Sequence, residues 1–525
     1  MHTCIDLFAG AGGLGEGFSR AGFDVSISVE KELTECETLR QRKLHNELLH
    51  SNQADLALKL ATGEMDFASF EKSYPKITDR VNKKVAQLEL GTVDFSTVYN
   101  KILNGLKNRK AGALILLGGP PCQAYSIVGR ARSVGKIVLD NDPTALDKFY
   151  KDQRHTLYKE YLKVLSAFSP EIFIMENVKG ILSAKTAPNA SAGSVIEKIF
   201  SDLQSPFKAI SDDPDFVKET VELGINFSED GYVLFPFTAS DKSDLFDNVG
   251  AGIAKNDFTI KSEKYNIPQT RHRVIICGVR QDVFKSLGRP GILNEPPSIT
   301  SVRDMIGSLP KLRSEITKEK VQAHKWAKRV KKEVSDLTAL TNIDIVDGCN
   351  TVEYPHKGQV VGNVELAKFI EDSLGVITSH KTRSHMVSDL ARYYFCADFA
   401  ERHGKSPKIE DWPVSDLVPK HANINRSGNR PSASGFSDRF KVQVWGKPSS
   451  TITSHISKDG HYFIHPDKTQ CRSFSVREAA RLQTFPDSYQ FCGGISKQFH
   501  QIGNAVPPYL AYQIAKLIKN YLKGI

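Results

Sequence analysis

Apolar residues in the first half of the chain fall into short runs separated by longer stretches with helical spacing. Thr3–Phe8, Val85–Leu90 (VAQLEL), Ala113–Leu117 (ALILL), Ile172–Met175 (IFIM) and Val274–Val279 (VIICGV) have the length and apolar content of buried strands. Phe23–Glu30 (FDVSISVE) alternates apolar and polar residues and closes on an acid. Between several of these runs lie helical patterns, such as Arg154–Phe168 (RHTLYKEYLKVLSAF), and Leu39–Lys84 reads as a helical insertion between two strands. Strand, helix, strand in repetition predicts an α/β fold with a doubly wound, mostly parallel sheet covered on both faces. Ligands of such sheets bind beyond the carboxyl ends of the strands.

The pattern breaks at about Gly288, where RPGILNEPPS is rich in proline and glycine. From there to about Thr469 the chain reads as irregular, and it holds all three tryptophans with many Lys, His and Ser. Arg439–Trp445 (RFKVQVW) alternates like a half-buried strand. Regular structure is expected again from SVREAARLQTF, with a final helix after Pro508. A chain of 525 residues has room for two domains.

Composition adds three constraints. The eight cysteines form no C-x-x-C pair, which argues against a disulfide framework or cysteine-bound zinc. His455, His461 and His465 stand in a strand-like setting without nearby cysteines, so no metal site is expected. Neither a signal-like leader nor an apolar run of membrane-spanning length occurs, and the expectation is a cytoplasmic protein. The formal net charge of +10 favours a polyanionic partner. Lys311–Lys332 concentrates it, with nine Lys or Arg against two Glu.

Candidate chemistry sits where the strands end. Ile5–Phe18 (IDLFAGAGGLGEGF) is a strand, a glycine-rich turn and a helix start, and Glu30 closes the next strand. Glycines there let backbone amides approach a ligand, and an acid at that distance suits a ribose. The spacing is not G-x-G-x-x-G, no Walker motif occurs, and the loop alone leaves the nucleoside cofactor, NAD included, open. In LILLGGPPCQAYS, Gly118 and Gly119 permit close approach, Pro120 and Pro121 fix the backbone, and Cys122 follows. MENVKG puts Glu176 and Asn177 after another strand, and PQTRHR puts Arg271 and Arg273 before a third. A thiol, a carboxyl and guanidiniums are thus expected at one sheet edge.

These motifs, in this order, resemble those of the bacterial-type DNA (cytosine-5)-methyltransferases. FAGAGGLGEGF resembles the family's S-adenosylmethionine loop, GGPPCQAYS its nucleophile motif, MENV its Glu-Asn-Val motif and QTRHR its Q-x-R-x-R. REAARLQTFPD and QIGNAVPP resemble its last two motifs. The resemblance implies a Rossmann-like methyltransferase domain over residues 1–285, completed by 498–525, with a target-recognition domain and hinge over 286–497. It implies Cys122 as nucleophile toward cytosine C6, Glu176 at the N3 edge, and Arg273, with Arg271, at O2. Cofactor contacts are implied for Phe8, Gly10, Gly12, Glu30, Pro120, Leu157, Asn504 and Val506. For the acid facing adenine, Glu89 is preferred to Asp55, which lies in a helical context. In this light the basic run, Lys381–Phe395 and Ser434–Pro466 read as DNA-contacting. The expected protein is a monomeric bacterial or phage modification enzyme acting on double-stranded DNA. The alternatives are a tRNA cytosine-5 methyltransferase and a non-catalytic DNA-binding relative.

Overall fold

The computed structural model describes residues 1–121, 157–185, 190–228, 230–238, 254–319, 321–338, 343–345, 359–371, 374–413, 416–418, 424–425, 432–433 and 439–524. Cys122 and the residues before Leu157 in the predicted helix lie outside that set. Nine strands matter to the site: β1 (Thr3–Leu7), β2 (Asp24–Glu30), β3 (Val85–Gln87), β4 (Leu114–Gly118), β5 (Ile172–Val178), β6 (Tyr232–Phe235), β7 (Thr259–Lys261), β8 (Gln269–Thr270) and β9 (His272–Arg280). The main sheet runs β3-β2-β1-β4-β5-β9-β6, and β7 also pairs with β9. Neighbours from β3 to β5 are parallel. The order reverses between β1 and β4, and such a reversal opens a crevice at the carboxyl edge.

The central strands read as continuous apolar runs because both of their faces are covered. Cys4, Ile115, Leu117, Ile172 and Ile174 enter one core, with helix α1 (Gly13–Arg20) and the C-terminal helix Pro508–Tyr521. Ile5, Leu7, Leu114, Leu116, Phe173 and Met175 enter the other, with helices Phe95–Leu106 and Leu157–Phe168. The end of the chain therefore completes the first half. Gly17 is where the two helices touch: a Cβ there would lie 2.5 Å from that of Ala511.

Two expectations change. β9 is antiparallel to β5, β6 and β7, so the sheet is mixed. The stretch after Gly288 is also far from irregular, for it includes helices Ala323–Thr338 and Val387–His403. Trp326, Val330 and Val334 of the first pack with Tyr393, Tyr394 and Trp412 in a third core. Lys381–Phe395 is accordingly less a DNA-facing stretch than expected, since Leu390–Phe395 are all buried. Arg439–Trp445 makes only an isolated bridge, Val442 to Ile464, and no strand. Among the described residues no helix is long and apolar enough to cross a membrane.

The insertion after β2 begins with helix α2 (Leu33–His50) and carries three further helices before β3. Its Arg42 reaches under α1 and grips Glu16 through Nε at 2.9 Å and through Nη2 at 2.5 Å. Arg20 holds the same carboxylate at 2.9 Å. Burial opposes ionisation of Glu16, but the two guanidiniums outweigh it and hold its pKa down at about 2. The carboxylate therefore stabilises the fold above its ordinary value of 4.5, and this contribution is lost as pH falls toward 2. Arg42→Met is expected to cost about 3 kcal/mol, because Glu16 stays buried with one partner fewer. Urea unfolding at pH 7 measures the loss, and the wild-type to variant difference should shrink at acid pH.

Candidate active site

The turn after β1 is built to expose its backbone. Phe8, Gly10 and Gly12 have φ of 53°, 53° and 80°, all in the left-handed region. That conformation is cheap for glycine and strained for Phe8. Glu30, at the end of β2, closes the turn by accepting the Gly10 N–H on Oε2 at 2.8 Å. Its Oε1 accepts the N–H groups of Lys31 at 2.8 Å and Glu32 at 3.0 Å. Burial still pushes the Glu30 carboxyl above its ordinary pKa, against the pull of those donors.

The glycines divide by what lies beside them. A Cβ on Gly13 would sit 2.1 Å from the Val506 carbonyl oxygen, and one on Gly15 would sit 2.9 Å from Asp6 Oδ2. A Cβ on Gly10 would meet nothing within 4 Å, so open space borders the loop beside the Glu30 carboxylate. Open space and an acid beside a glycine-rich turn together fit a nucleoside cofactor.

Two strands away, the loop leaving β4 is held from β5. Asn177 Nδ2 donates to the Pro120 carbonyl at 3.3 Å, and Asn177 Oδ1 accepts the Val178 N–H at 2.8 Å. Gly118 and Gly119 are glycines for packing reasons. A Cβ on the first would lie 2.6 Å from the Tyr161 ring, and one on the second 3.1 Å from Glu176 Oε2. β5 is longer than the apolar run predicts, so Glu176 and Asn177 lie within the strand.

The antiparallel course of β9 explains a motif that precedes its strand. Running against β5, it starts where β5 ends, and Arg273 lies opposite Val178. Arg273 Nε stands 3.1 Å from Glu176 Oε1, with both side chains largely buried. Arg271 has a different setting from the one expected. It is buried, and its guanidinium donates to the carbonyls of Ile452 at 2.7 Å and Gly503 at 3.3 Å. Those partners come from two distant segments of the chain, and neither belongs to the Glu176–Arg273 pair.

A carboxylate–guanidinium pair beside a stiff loop, next to a nucleoside cradle, is the setting in which the family comparison becomes decisive. The model of the C-5 cytosine-specific DNA methylases matches residues 2–75, 79–205 and 255–520. The chain belongs to that family. It is 31% identical to the Type II methyltransferase M.Bpa9945I of Bacillus paralicheniformis, over 99% of each chain. It is 25% identical to M.AgeI of Thalassovita gelatinovora over 98% of each chain. To M.DdeI of Desulfomicrobium norvegicum it is 24% identical, over 99% of this chain and 89% of the other. The protein is a DNA (cytosine-5)-methyltransferase, and S-adenosylmethionine supplies the methyl group as a sulfonium.

The other residues singled out in the sequence have the following settings. Glu89 follows β3 and pairs with Lys31, the neighbour of Glu30, at 3.3 Å. Leu157 begins its helix beside the turn after Glu89, with Cδ2 3.4 Å from where a Gly91 Cβ would stand. Asp55 is exposed on helix Ala54–Thr62. Asn504 is exposed at the end of helix Ile495–Asn504, and Val506 is buried in the link after it, which rests on α1. His461 Nδ1 is 2.6 Å from the Tyr393 hydroxyl, and buried His465 lies 3.4 Å from Glu478.

Several further side chains support this edge from within. Tyr489 donates its hydroxyl to the Ala11 carbonyl in the cofactor turn. Gln269 donates to Gln483, which donates in turn to the Ala505 carbonyl. Within REAARLQTFPD, Arg477 spends its guanidinium on the carbonyls of Thr378, Pro486 and Tyr489, at 2.6 to 2.7 Å. Arg481 forms a two-pronged pair with Asp487, at 2.8 and 2.6 Å. This motif is a buried polar support.

Proposed function

We propose that the enzyme methylates a flipped-out cytosine within a specific duplex sequence, with Cys122 as nucleophile and Glu176 and Arg273 on the base. The observation that carries this reading is the Glu176–Arg273 pair beside the Gly119–Pro120 loop. Its two groups complement two adjacent edges of cytosine, the carboxyl facing N3 and the exocyclic amine, and the guanidinium facing O2.

Cytosine C5 is a weak nucleophile. As the Cys122 sulfur bonds to C6, the C5=C6 electron pair shifts onto the ring, and a proton at N3 offsets the charge. Glu176 is placed to supply it. C5 then takes the methyl group as the sulfonium leaves as S-adenosylhomocysteine. Solvent accepts the C5 proton, the S–C6 bond breaks to free the Cys122 thiolate, and the N3 proton returns to Glu176. A stacked base cannot reach these groups, so extrusion from the duplex is required. Glu30, the 8–12 turn, Pro120, Leu157, Asn504 and Val506 hold the methyl donor in this scheme, with Glu89 at the adenine.

Residues 1–285 with 498–525 form the catalytic part, and 286–497 the recognition domain and hinge. The names of the relatives, Type II methyltransferases, support a modification enzyme. Expression in a host lacking cytosine methylation, followed by sequencing for 5-methylcytosine, tests activity and finds the target together. Methylation confined to tRNA would overturn the reading.

Helix Ala323–Thr338 gives the recognition domain a backbone-binding face. Arg329 is engaged by Glu319 and Glu333, at 3.1 and 2.8 Å. Lys325, Lys328, Lys331 and Lys332 are exposed on the side away from Trp326, Val330 and Val334. Each lysine that meets a phosphate contributes about 0.9 to the slope of log affinity against log salt. Changing all four to glutamine is expected to lower that slope by about 3 to 4, uniformly across sequences. Binding measured from 50 to 200 mM salt, about the range over which such slopes are read, checks it.

A further inference from the structure

The turn after β1 is held from near the other end of the chain. Tyr489 lies 478 positions beyond Ala11 and donates its hydroxyl to the Ala11 carbonyl. That carbonyl shares a planar peptide unit with the Gly12 N–H, which donates to the Ala9 carbonyl at 2.8 Å. The unit is thus fixed at both of its polar ends. So is the unit of Ala9 and Gly10, whose carbonyl takes the Gly12 N–H and whose own N–H goes to Glu30. Pinning the two units sets the path of the backbone through Gly10, where the open space lies.

Tyr489 is itself immobilised. Its ring is buried against Phe485 and Phe491, with centroids 4.7 and 5.2 Å away. The Arg42 guanidinium, which grips Glu16 of α1, sits 5.0 Å from the ring centroid. Its carbonyl accepts from Arg477 Nη2 at 2.6 Å and from the Thr378 hydroxyl at 3.0 Å. Burial pushes the hydroxyl pKa up, and the nearby Glu16 carboxylate adds to this, so the group keeps its proton and stays a donor. Gly12 leaves room for it, since a Cβ there would lie 3.1 Å from the hydroxyl oxygen and 2.7 Å from Leu39 Cδ2.

We infer that Tyr489 is a positioning residue for the methyl donor, holding the turn in its binding conformation before the cofactor arrives. Phe8, Gly10 and Gly12 all have left-handed φ, and for Phe8 that is a strained state. Such a backbone persists only where its surroundings fix it. Without the hydroxyl the free turn relaxes, and cofactor binding has to order it again. The hydroxyl meets a main-chain carbonyl, not the reacting atoms. Its effect therefore falls equally on the bound ground state and the transition state, which raises KM and leaves kcat alone.

This inference rests on the reading that the 8–12 turn holds the methyl donor. The test uses the full-length enzyme, with calorimetric titration of S-adenosylhomocysteine and initial rates at varied S-adenosylmethionine. Tyr489→Phe keeps the ring and removes the hydroxyl. Its affinity for S-adenosylhomocysteine and its KM for the donor are expected to worsen about tenfold, with kcat within about twofold of wild type. Ser488→Ala removes the neighbouring hydroxyl, which faces Arg42 and His45. It is expected to leave both cofactor constants within about twofold, whatever it does to stability. Hydrogen exchange in the wild type gives a reading that needs no variant: the Gly12 amide is expected to be protected before any cofactor is added. Unchanged affinity in Tyr489→Phe, a loss carried by kcat, an equal loss in Ser488→Ala, or a Gly12 amide that exchanges freely until cofactor binds overturns the inference. A Glu30→Gln variant that binds S-adenosylhomocysteine as tightly as wild type overturns the placement of the donor at this turn instead.

Discussion

Cys122→Ser is expected to lower methyl transfer by at least roughly four orders of magnitude, the scale on which removal of a nucleophile acts. The argument is one of available electron pairs. A cysteine supplies a useful fraction of thiolate near neutral pH, whereas a serine hydroxyl does not ionise there without a base to take its proton. Without addition at C6, C5 has no electron density to offer the sulfonium. The variant should nevertheless bind S-adenosylhomocysteine as the wild type does. The Glu30 carboxylate and the Gly10 amide that build the cradle belong to β2 and the turn after β1, apart from the loop leaving β4. Transfer of a labelled methyl group to duplex DNA, with calorimetric titration of the cofactor product, separates the two effects. An unchanged rate would remove Cys122 from the mechanism, and lost binding would show that the loop also shapes the cradle.

Glu176→Gln carries the second large effect. The amide matches the carboxyl in size, so the close approach of Gly119, whose Cβ would lie 3.1 Å from Glu176 Oε2, is preserved. What disappears is the group proposed to hydrogen-bond N3 and supply a proton as sulfur adds to C6. A drop in kcat of about 10²- to 10⁴-fold is expected, the usual worth of a general acid. The variant also deprives Arg273, 3.1 Å away and mostly buried, of its counter-charge. Single-turnover rates with saturating DNA distinguish the two consequences. A reduced chemical step at unchanged DNA affinity supports the acid role, whereas a change confined to affinity would mean that Glu176 only docks the base.

Much of this site was legible because it is local. A glycine-rich turn between a strand and a helix, an acid closing the next strand, and a proline-stiffened loop before a cysteine each lie within a few residues. Backbone preference and burial periodicity act over the same range, so the pattern exposes them. The boundaries were less legible. Glu176 and Asn177 are polar, so the apolar run stops before them, although β5 continues through Val178 under the pairing of β9. The stretch after Gly288 misled for a related reason. In Ala323–Thr338 four lysines and an arginine break up the apolar face, and Trp326, Val330 and Val334 pack into a core with residues of Val387–His403.

The sequence by itself determined the class of fold, the family, and which residue types stand ready for the chemistry. These rest on short-range order: apolar runs of strand length, glycines where amides must be bare, and motifs in a set succession. Only the tertiary structure decided which guanidinium pairs with Glu176. Arg271 and Arg273 are two residues apart and look equivalent in QTRHR. One finds Glu176, and the other finds carbonyls 181 and 232 positions further along the chain. A side chain's partner depends on which segments folding brings to the same place. That is a property of packing over the whole chain, and no local pattern carries it.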